Sequence, residues 1–393
     1  NGISKIFYPS SSGIFSEKSG FEGAIHAINK FEAKIYLATS SGVYFLQNTF
    51  ENNTEKIFNR LKGISFQSWD LLPMGKTLLA ATNDGVMEIK NGIPSIVDLN
   101  LRYVYCLYKS VIDSTIIFIG MHNGLAVLKN ENNKVKSIGI VPNIQNGIAE
   151  IKDDGNGNLW LIDISGKVIR MKIPVNKYDL AGYKIENISN QSILKNKTKL
   201  FKYQNEIYLY DIYKVFSYDK QLNTFIRANQ FGNIFKDTTE TIINIYNEDD
   251  KTLWSVINAS GKTRVIEITP EKNIFAIKTH SFIEMVGEDF SAEFGLLKLF
   301  FDENSSPKLW VSAGNVLVNY NINSQNGFNL ITNIKPLIRK VSVNNGTVLF
   351  NGYEEFSILN SELKEISYSQ NSIVFDFAAP SFLNEIGNDY QYL

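Results

Sequence analysis

The 393-residue chain has a single cysteine, Cys106. It cannot close an intrachain disulfide and has no partner for a cysteine-based metal site. Histidine is nearly as scarce: His26, His122 and His280 are the whole supply, so an enzyme built on this chain would have to run on carboxylates. Charge of one sign is also lacking. Lys and Arg number 39 against 40 Asp and Glu, a formal net charge of -1, which excludes the basic excess of a nucleic-acid binder and counts against highly sulfated ligands. Long apolar runs are missing; the run from Thr115 to Ile119 is far short of the roughly 20 residues that span a bilayer. The chain starts at Asn1 with no charged start, apolar stretch and small-residue cleavage site behind it. It reads as a mature or excised piece, with a removed signal peptide left open.

Hydrophobic residues supply 44% of the chain, with 19 Tyr and 26 Phe, enough for one large all-β domain with an appendage or for two to three average domains. A pattern recurs: an apolar strand, a turn, a β-rich strand, a second turn, an alternating strand. Its copies are YLATSSGVYFLQ from Tyr36, LLAATNDGVMEIKNG from Leu78, IFIGMHNGLAVLKN from Ile117, LWLIDISGKVIRMK from Leu159, IYLYDIYKVFSYDK from Ile207, LWSVINASGKTRVIEI from Leu253 and LWVSAGNVLVNYNIN from Leu309. The intervals between these starts fall in the range of four-stranded propeller blades and not of helical solenoid repeats. Gly42, Gly85, Gly124, Gly166, Gly261 and Gly314 follow the central strand in six copies, where positive φ costs glycine nothing. The fifth copy must turn through Asp211-Ile212-Tyr213-Lys214 by another route. Acidic loops precede three central strands: Asp153-Asp154-Gly155-Asn156-Gly157-Asn158, Glu248-Asp249-Asp250 and Asp302-Glu303-Asn304. The first invites a calcium reading, yet it lacks the alternating carboxylates and distal Glu of an EF-hand, so it is read as a turn.

These features predict an all-β fold: a seven-bladed β-propeller over 22–335 followed by a truncated immunoglobulin-like β-sandwich over 336–393. Residues 1–21 are read as a closing strand or as the remnant of an upstream domain. In the tail, Asn345-Gly346 marks a hairpin between alternating strands, and another strand runs from Ser372 to Phe377.

The blade pattern resembles the two-component regulator propeller repeat, most clearly at Asp153 to Trp160 and at Leu79 to Val86. The tail, Arg339-Lys340-Val341-Ser342-Val343-Asn344 with Asn371 to Ala379 and Tyr390-Gln391-Tyr392, resembles the start of a triple-tyrosine domain. Several copies lack the central Trp, with Leu79, Ile117 and Tyr208 near that place, and one propeller is visible where family members often carry two. The resemblance implies the periplasmic sensor region of a Bacteroidetes-type hybrid two-component regulator, or of a one-component relative. Such a region detects a glycan fragment and relays it through the sandwich to a transmembrane histidine kinase. It implies an oligosaccharide or other small ligand, a homodimer through the sandwich of the parent protein, and membrane contact only beyond this chain. No cofactor, catalytic residue or metal is expected in the fragment.

Propellers dock ligands where the loops leading into the innermost strands surround one end of the channel. Aligning backward from the glycine turns places His26, Gln67, Trp69, Arg102, Tyr103, Tyr105, Asn146 and Glu293 there. Aromatic faces stack on sugar rings, and Arg, Gln and Asn set specificity through directed hydrogen bonds. Trp69 and Tyr105 align with one another, as repeated packing positions would also do. Trp160, Trp254 and Trp310 share one repeat position and are read as core, His122 as a turn residue, His280 as a loop residue and Cys106 as a small buried apolar group. Asp70 and Glu150 fall on innermost strands; a glycosidase would need such carboxylates paired about 5 to 10 Å apart. The classes left open are a non-catalytic sensor, a propeller glycoside hydrolase or lyase, and a protein-docking platform.

Overall fold

The computed structural model describes residues 12–47, 57–186, 188, 198–231, 234–235, 240–247, 252–259, 262–271, 274–280, 297–303, 307–323, 337–343, 347–350, 367–368 and 372–378. Glu293, Gly261, the Glu248-Asp249-Asp250 loop, the Asn345-Gly346 hairpin and Tyr390 to Tyr392 lie outside them. The described residues are strands joined by turns and a few short 3-10 segments. Among them, no helix is long and apolar enough to cross a membrane.

The chain divides into two units, 11–324 and a second that includes 325–393. The first holds seven four-stranded antiparallel sheets. Six are runs of consecutive strands within 25–60, 68–96, 104–140, 148–186, 199–227 and 240–280. The seventh takes three strands within 298–321 and completes itself with Ser12–Phe15, whose residues Ser12 and Phe15 pair with Tyr320 and Leu317. The seven first strands are Ile25–Phe31, Ser68–Met74, Val104–Lys109, Ile148–Asp153, Lys199–Tyr203, Glu240–Tyr246 and Lys298–Asp302.

Central strands are rich in apolar residues because both faces are covered: Thr77–Thr82 and Ile116–Met121 are buried at every position. The core lies between sheets, as seven hydrophobic clusters. Each joins one sheet to the next in the chain, and the last, with Phe15, Ile25, Leu37, Phe58, Phe300 and Trp310, joins sheet seven to sheet one. The three tryptophans read as core are buried in these seams. Trp160 meets Tyr218 at 4.7 Å between ring centroids, Trp254 stacks on Phe301 at 5.6 Å, and Trp310 stacks on Phe15 at 5.9 Å.

The fifth sheet turns without glycine because the Asp211 carboxylate accepts the N–H groups of Tyr213 and Lys214, both at 2.7 Å, closing an Asx turn. His280 is not a loop residue. It ends the strand Ile274–His280, is buried, meets Glu267 at 3.1 Å and packs on Trp254. The strand pairing carries it into the seam between sheets six and seven. In the second unit, Leu337–Val343 pairs antiparallel with Thr347–Phe350 on one side and Ile373–Ala378 on the other.

Candidate functional site

The first strands of sheets one to four and six each carry a one-residue bulge near their start, opposite the end of the central strand. Ile25 pairs with Thr39 and Ala27 with Ala38, leaving His26 over. The same slip leaves Trp69, Tyr105, Ala149 and Ile243 unpaired in the ladder. A bulge turns its extra residue out of the pleat. Ile243 joins the core between sheets six and seven. The other four, His26, Trp69, Tyr105 and Ala149, line one cavity of about 470 Å³ together with Ala24, Ile25, Ile164, Gly314 and Lys298.

The aromatic members form a row. The rings of His26 and Trp69 are 4.5 Å apart, and Trp69 meets Tyr105 edge-on at 5.7 Å. The Tyr105 hydroxyl lies 3.0 Å from Nδ1 of His122, whose ring also borders Tyr103. Trp69 is held from behind. Its indole N–H donates to Oδ1 of Asn83 at 3.0 Å, and the backbone N–H of Asn83 donates to the carbonyl of Gln67 at 3.0 Å.

Of the residues singled out from sequence, His26, Trp69 and Tyr105 therefore meet in the cavity wall. They sit on bulges within the first strands, not in the loops ahead of them. Gln67 supports Trp69 through Asn83. Tyr103 is exposed, with φ of +51°, its N–H donating to the Asn83 carbonyl and its own carbonyl accepting from His122. Arg102 and Asn146 are exposed and do not line the cavity; Asn146 donates to Asp163 at 3.0 Å. Lys298 was missed. Its signal is a repeat position, the one that follows the bulge in the five bulged strands and its equivalent in the other two, occupied in turn by Ala27, Asp70, Cys106, Glu150, Lys199, Asn244 and Lys298, each facing a central-strand residue from Ala38 to Ser312.

Four of the seven residues at that position are charged: Asp70, Glu150, Lys199 and Lys298. Asp70 accepts the N–H groups of Leu71 and Leu107 at 2.8 and 2.9 Å, tying sheet two to sheet three. Glu150 accepts Nζ of Lys199 at 2.9 Å and the N–H of Leu200 at 2.8 Å, tying sheet four to sheet five. Burial raises the Asp70 carboxyl above its usual range against the pull of those N–H groups. The Glu150 carboxylate raises Lys199. Lys298 is lowered to about 8 by burial and by Lys199, with Glu150 and Asp70 opposing. His26 is lowered to about 4 by burial and then by Lys298, so its imidazole is neutral at pH 7; its Nε2 is buried with no hydrogen-bond partner. Burial raises the Cys106 thiol well above its usual value, which makes it a poor nucleophile.

The arrangement suits binding. It offers an aromatic stacking surface and a neutral imidazole, while each carboxylate oxygen of Asp70 and Glu150 already holds a donor and neither residue lines the cavity. The Asp153-Asp154 loop is a turn by the same logic. Asp153 accepts from Ser110, Val111 and Gly155, and Asp154 from Asn156 and Asn158.

No family model matches the chain, and no curated protein does. Among solved structures it is similar to the extracellular domain of the hybrid two-component system BT3049 from B. thetaiotaomicron, at 13% identity and a TM-score of 0.54 over 79% of this chain and 41% of that one. It is also similar to the extracellular domain of the hybrid two-component system BT4673 from the same organism, at 10% identity and a TM-score of 0.55 over 88% of this chain and 47% of that one. A third likeness is to YCF48 bound to D1 peptide, at 8% identity and a TM-score of 0.52 over 80% and 96%. The chain spans less than half the length of the two extracellular domains. In fold it is similar to the extracellular domains of two-component systems, the class its tandem repeats resemble.

Proposed function

We propose that the chain is an extracytoplasmic ligand-sensing domain: a seven-bladed propeller whose channel mouth holds a glycan fragment, followed by part of a β-sandwich that relays occupancy to a transmembrane histidine kinase. The cyclic succession of seven inter-sheet cores supports the closed ring. The observation that carries the binding role is the cavity wall itself, in which successive bulges set His26, Trp69 and Tyr105 side by side at one end of the first strands. A ring face on Trp69 and hydrogen bonds at His26 and Tyr105 are what a pyranose requires. The fragment is non-catalytic on this reading, because the neighbouring carboxylates are spent on ties between sheets. Ligand binding signals only by differential affinity: a tenfold bias between two arrangements of propeller, sandwich and partner subunit takes about 1.4 kcal/mol.

Thermal-shift screening against plant, host and microbial oligosaccharides, with product analysis of every hit, tests the reading. A stabilising glycan recovered intact, with the shift lost in Trp69→Ala, supports a sensor. A cleaved glycan overturns it in favour of a glycosidase or lyase, and stabilisation by peptides alone favours a docking platform.

A further inference from the structure

We infer that the binding surface does not end at the cavity but continues over His122 to Tyr103, a second stacking platform, so that the ligand is an oligosaccharide with one ring enclosed on Trp69 and an outer ring lying on Tyr103. This deepens, and rests on, the saccharide-binding reading above.

The aromatic rings form one line from inside to outside. His26, Trp69 and Tyr105 are partly buried and line the cavity. The Tyr105 hydroxyl lies 3.0 Å from Nδ1 of His122, and the His122 ring stands edge-on to Tyr103 at 6.2 Å between centroids. His122 and Tyr103 are both exposed. In sheet one the residue equivalent to Tyr103, two before the bulge, is Ala24, which lines the cavity. Tyr103 therefore starts from the same rim and carries a ring where sheet one carries a methyl group.

The fold does not account for that ring. Tyr103 has φ of +51°, the left-handed region that a bulky side chain occupies only at a cost. Among the described non-glycine residues with positive φ, six are Asn, which tolerates it, and the other aromatic, Phe235, is buried in a core cluster. Tyr103 is instead 53% exposed. Its backbone duty is one that other residues perform without strain. The Tyr103 carbonyl accepts the N–H of His122, just as those of Ala24, Gln67 and Gly147 accept from Ser40, Asn83 and Ile164 in sheets one, two and four, and none of those three takes the left-handed conformation. A strained backbone that holds a large exposed ring beside a binding cavity marks a functional position. Successive sugars match the line of rings, because each presents an apolar face to an aromatic side chain and hydroxyls at its edge.

The test is isothermal titration of the chain with neutral cello-, xylo-, malto- and chito-oligosaccharides, each from the single sugar to the hexamer. In a series that binds, affinity is expected to rise about tenfold once the oligomer is long enough to reach Tyr103, and to stay level beyond that. Tyr103→Asn and Tyr103→Ala should lose that step and leave the shortest bound member unchanged. Because Asn suits the left-handed backbone, the Asn variant should melt no lower than the parent chain. A length-independent affinity, a step that survives both substitutions, or an Asn variant that melts lower overturns the inference. Where that happens while a short sugar still binds and Trp69→Ala weakens it, the underlying reading stands. No binding by any series overturns both.

Discussion

Lys298 and His26 are neighbours that burial pushes toward their neutral forms, so both weaken the fold in their charged states. Lys298 titrates near 8 in the folded chain against about 10.5 when unfolded. Between those values the unfolded chain binds more protons, so stability rises with pH across that window, and the full penalty is present below it. Lys298→Met is therefore expected to stabilise the chain by about 1–3 kcal/mol at pH 7, with the advantage shrinking as pH climbs from 8 toward 10.5. Urea unfolding of both proteins at pH 7 and pH 10 checks this; a destabilised Met variant at pH 7 would show that the ammonium contributes to the fold. For His26 the window is lower, from 6.5 down to about 4. There the unfolded chain again binds more protons, so this contribution falls away with acid, by about 2 kcal/mol after allowance for a half-buried ring. His26→Gln should flatten the stability profile between pH 6.5 and 4, and an unchanged profile would assign that acid sensitivity to other groups.

At the scale of the strand, what the sequence could and could not show follows from what each feature writes into it. Alternation, glycine turns and a blade-length period are repeated local signals, and the seven sheets follow them. A bulge leaves no such mark. Trp69 and Tyr105 could be aligned as one repeat position, but the register slip that leaves each of them, and His26, out of the ladder is not written in the sequence. Lys298 was hidden because the longest interval between copies, from Leu253 to Leu309, precedes its central strand, and the alignment there singled out Glu293 instead. Close packing at the bulges also explains a glycine with no turn to make. At Gly120 an added Cβ would run into the Ile148 carbonyl oxygen and stand 2.5 Å from Sγ of Cys106. Backbone cannot yield there as a side-chain tip would, so Gly120→Ala is expected to cost about 2–3 kcal/mol. A lowered urea midpoint with an unchanged m-value is the expected readout; an unmoved midpoint would show that the third and fourth sheets separate easily.

Across the whole molecule, the seam between sheets seven and one differs from the other six because its fourth strand comes from the opposite end of the unit. Ser12–Phe15 pairs with Val316–Asn321, and Phe15 is buried against Trp310 at 5.9 Å and Phe58 at 5.6 Å. Lys30 adds an ion pair with Asp302 at 2.7 Å across the same seam. In the proposed ring, each seam is held by its own core and by the closure of all the others. Losing the contact that joins the ends exposes two seam faces at once, whereas a cavity in any other seam leaves the ring shut. Phe15→Ala should cost about 3–4 kcal/mol by lost burial and the cavity left behind, and its effect should be local first. Hydrogen exchange is expected to speed up in Val316–Asn321 and in the strand Gly42–Gln47 before the strands of sheets three to five change. Leu209→Ala, in the seam between sheets four and five, should instead lower protection there and leave the closing strand intact. Because Gly314 and Lys298 of sheet seven and Ala24 and His26 of sheet one line the cavity together, loosening this seam should also weaken saccharide binding, while Leu209→Ala should not. Equal weakening by both variants would mean that binding follows global stability, and a site set by the closing seam would then be ruled out.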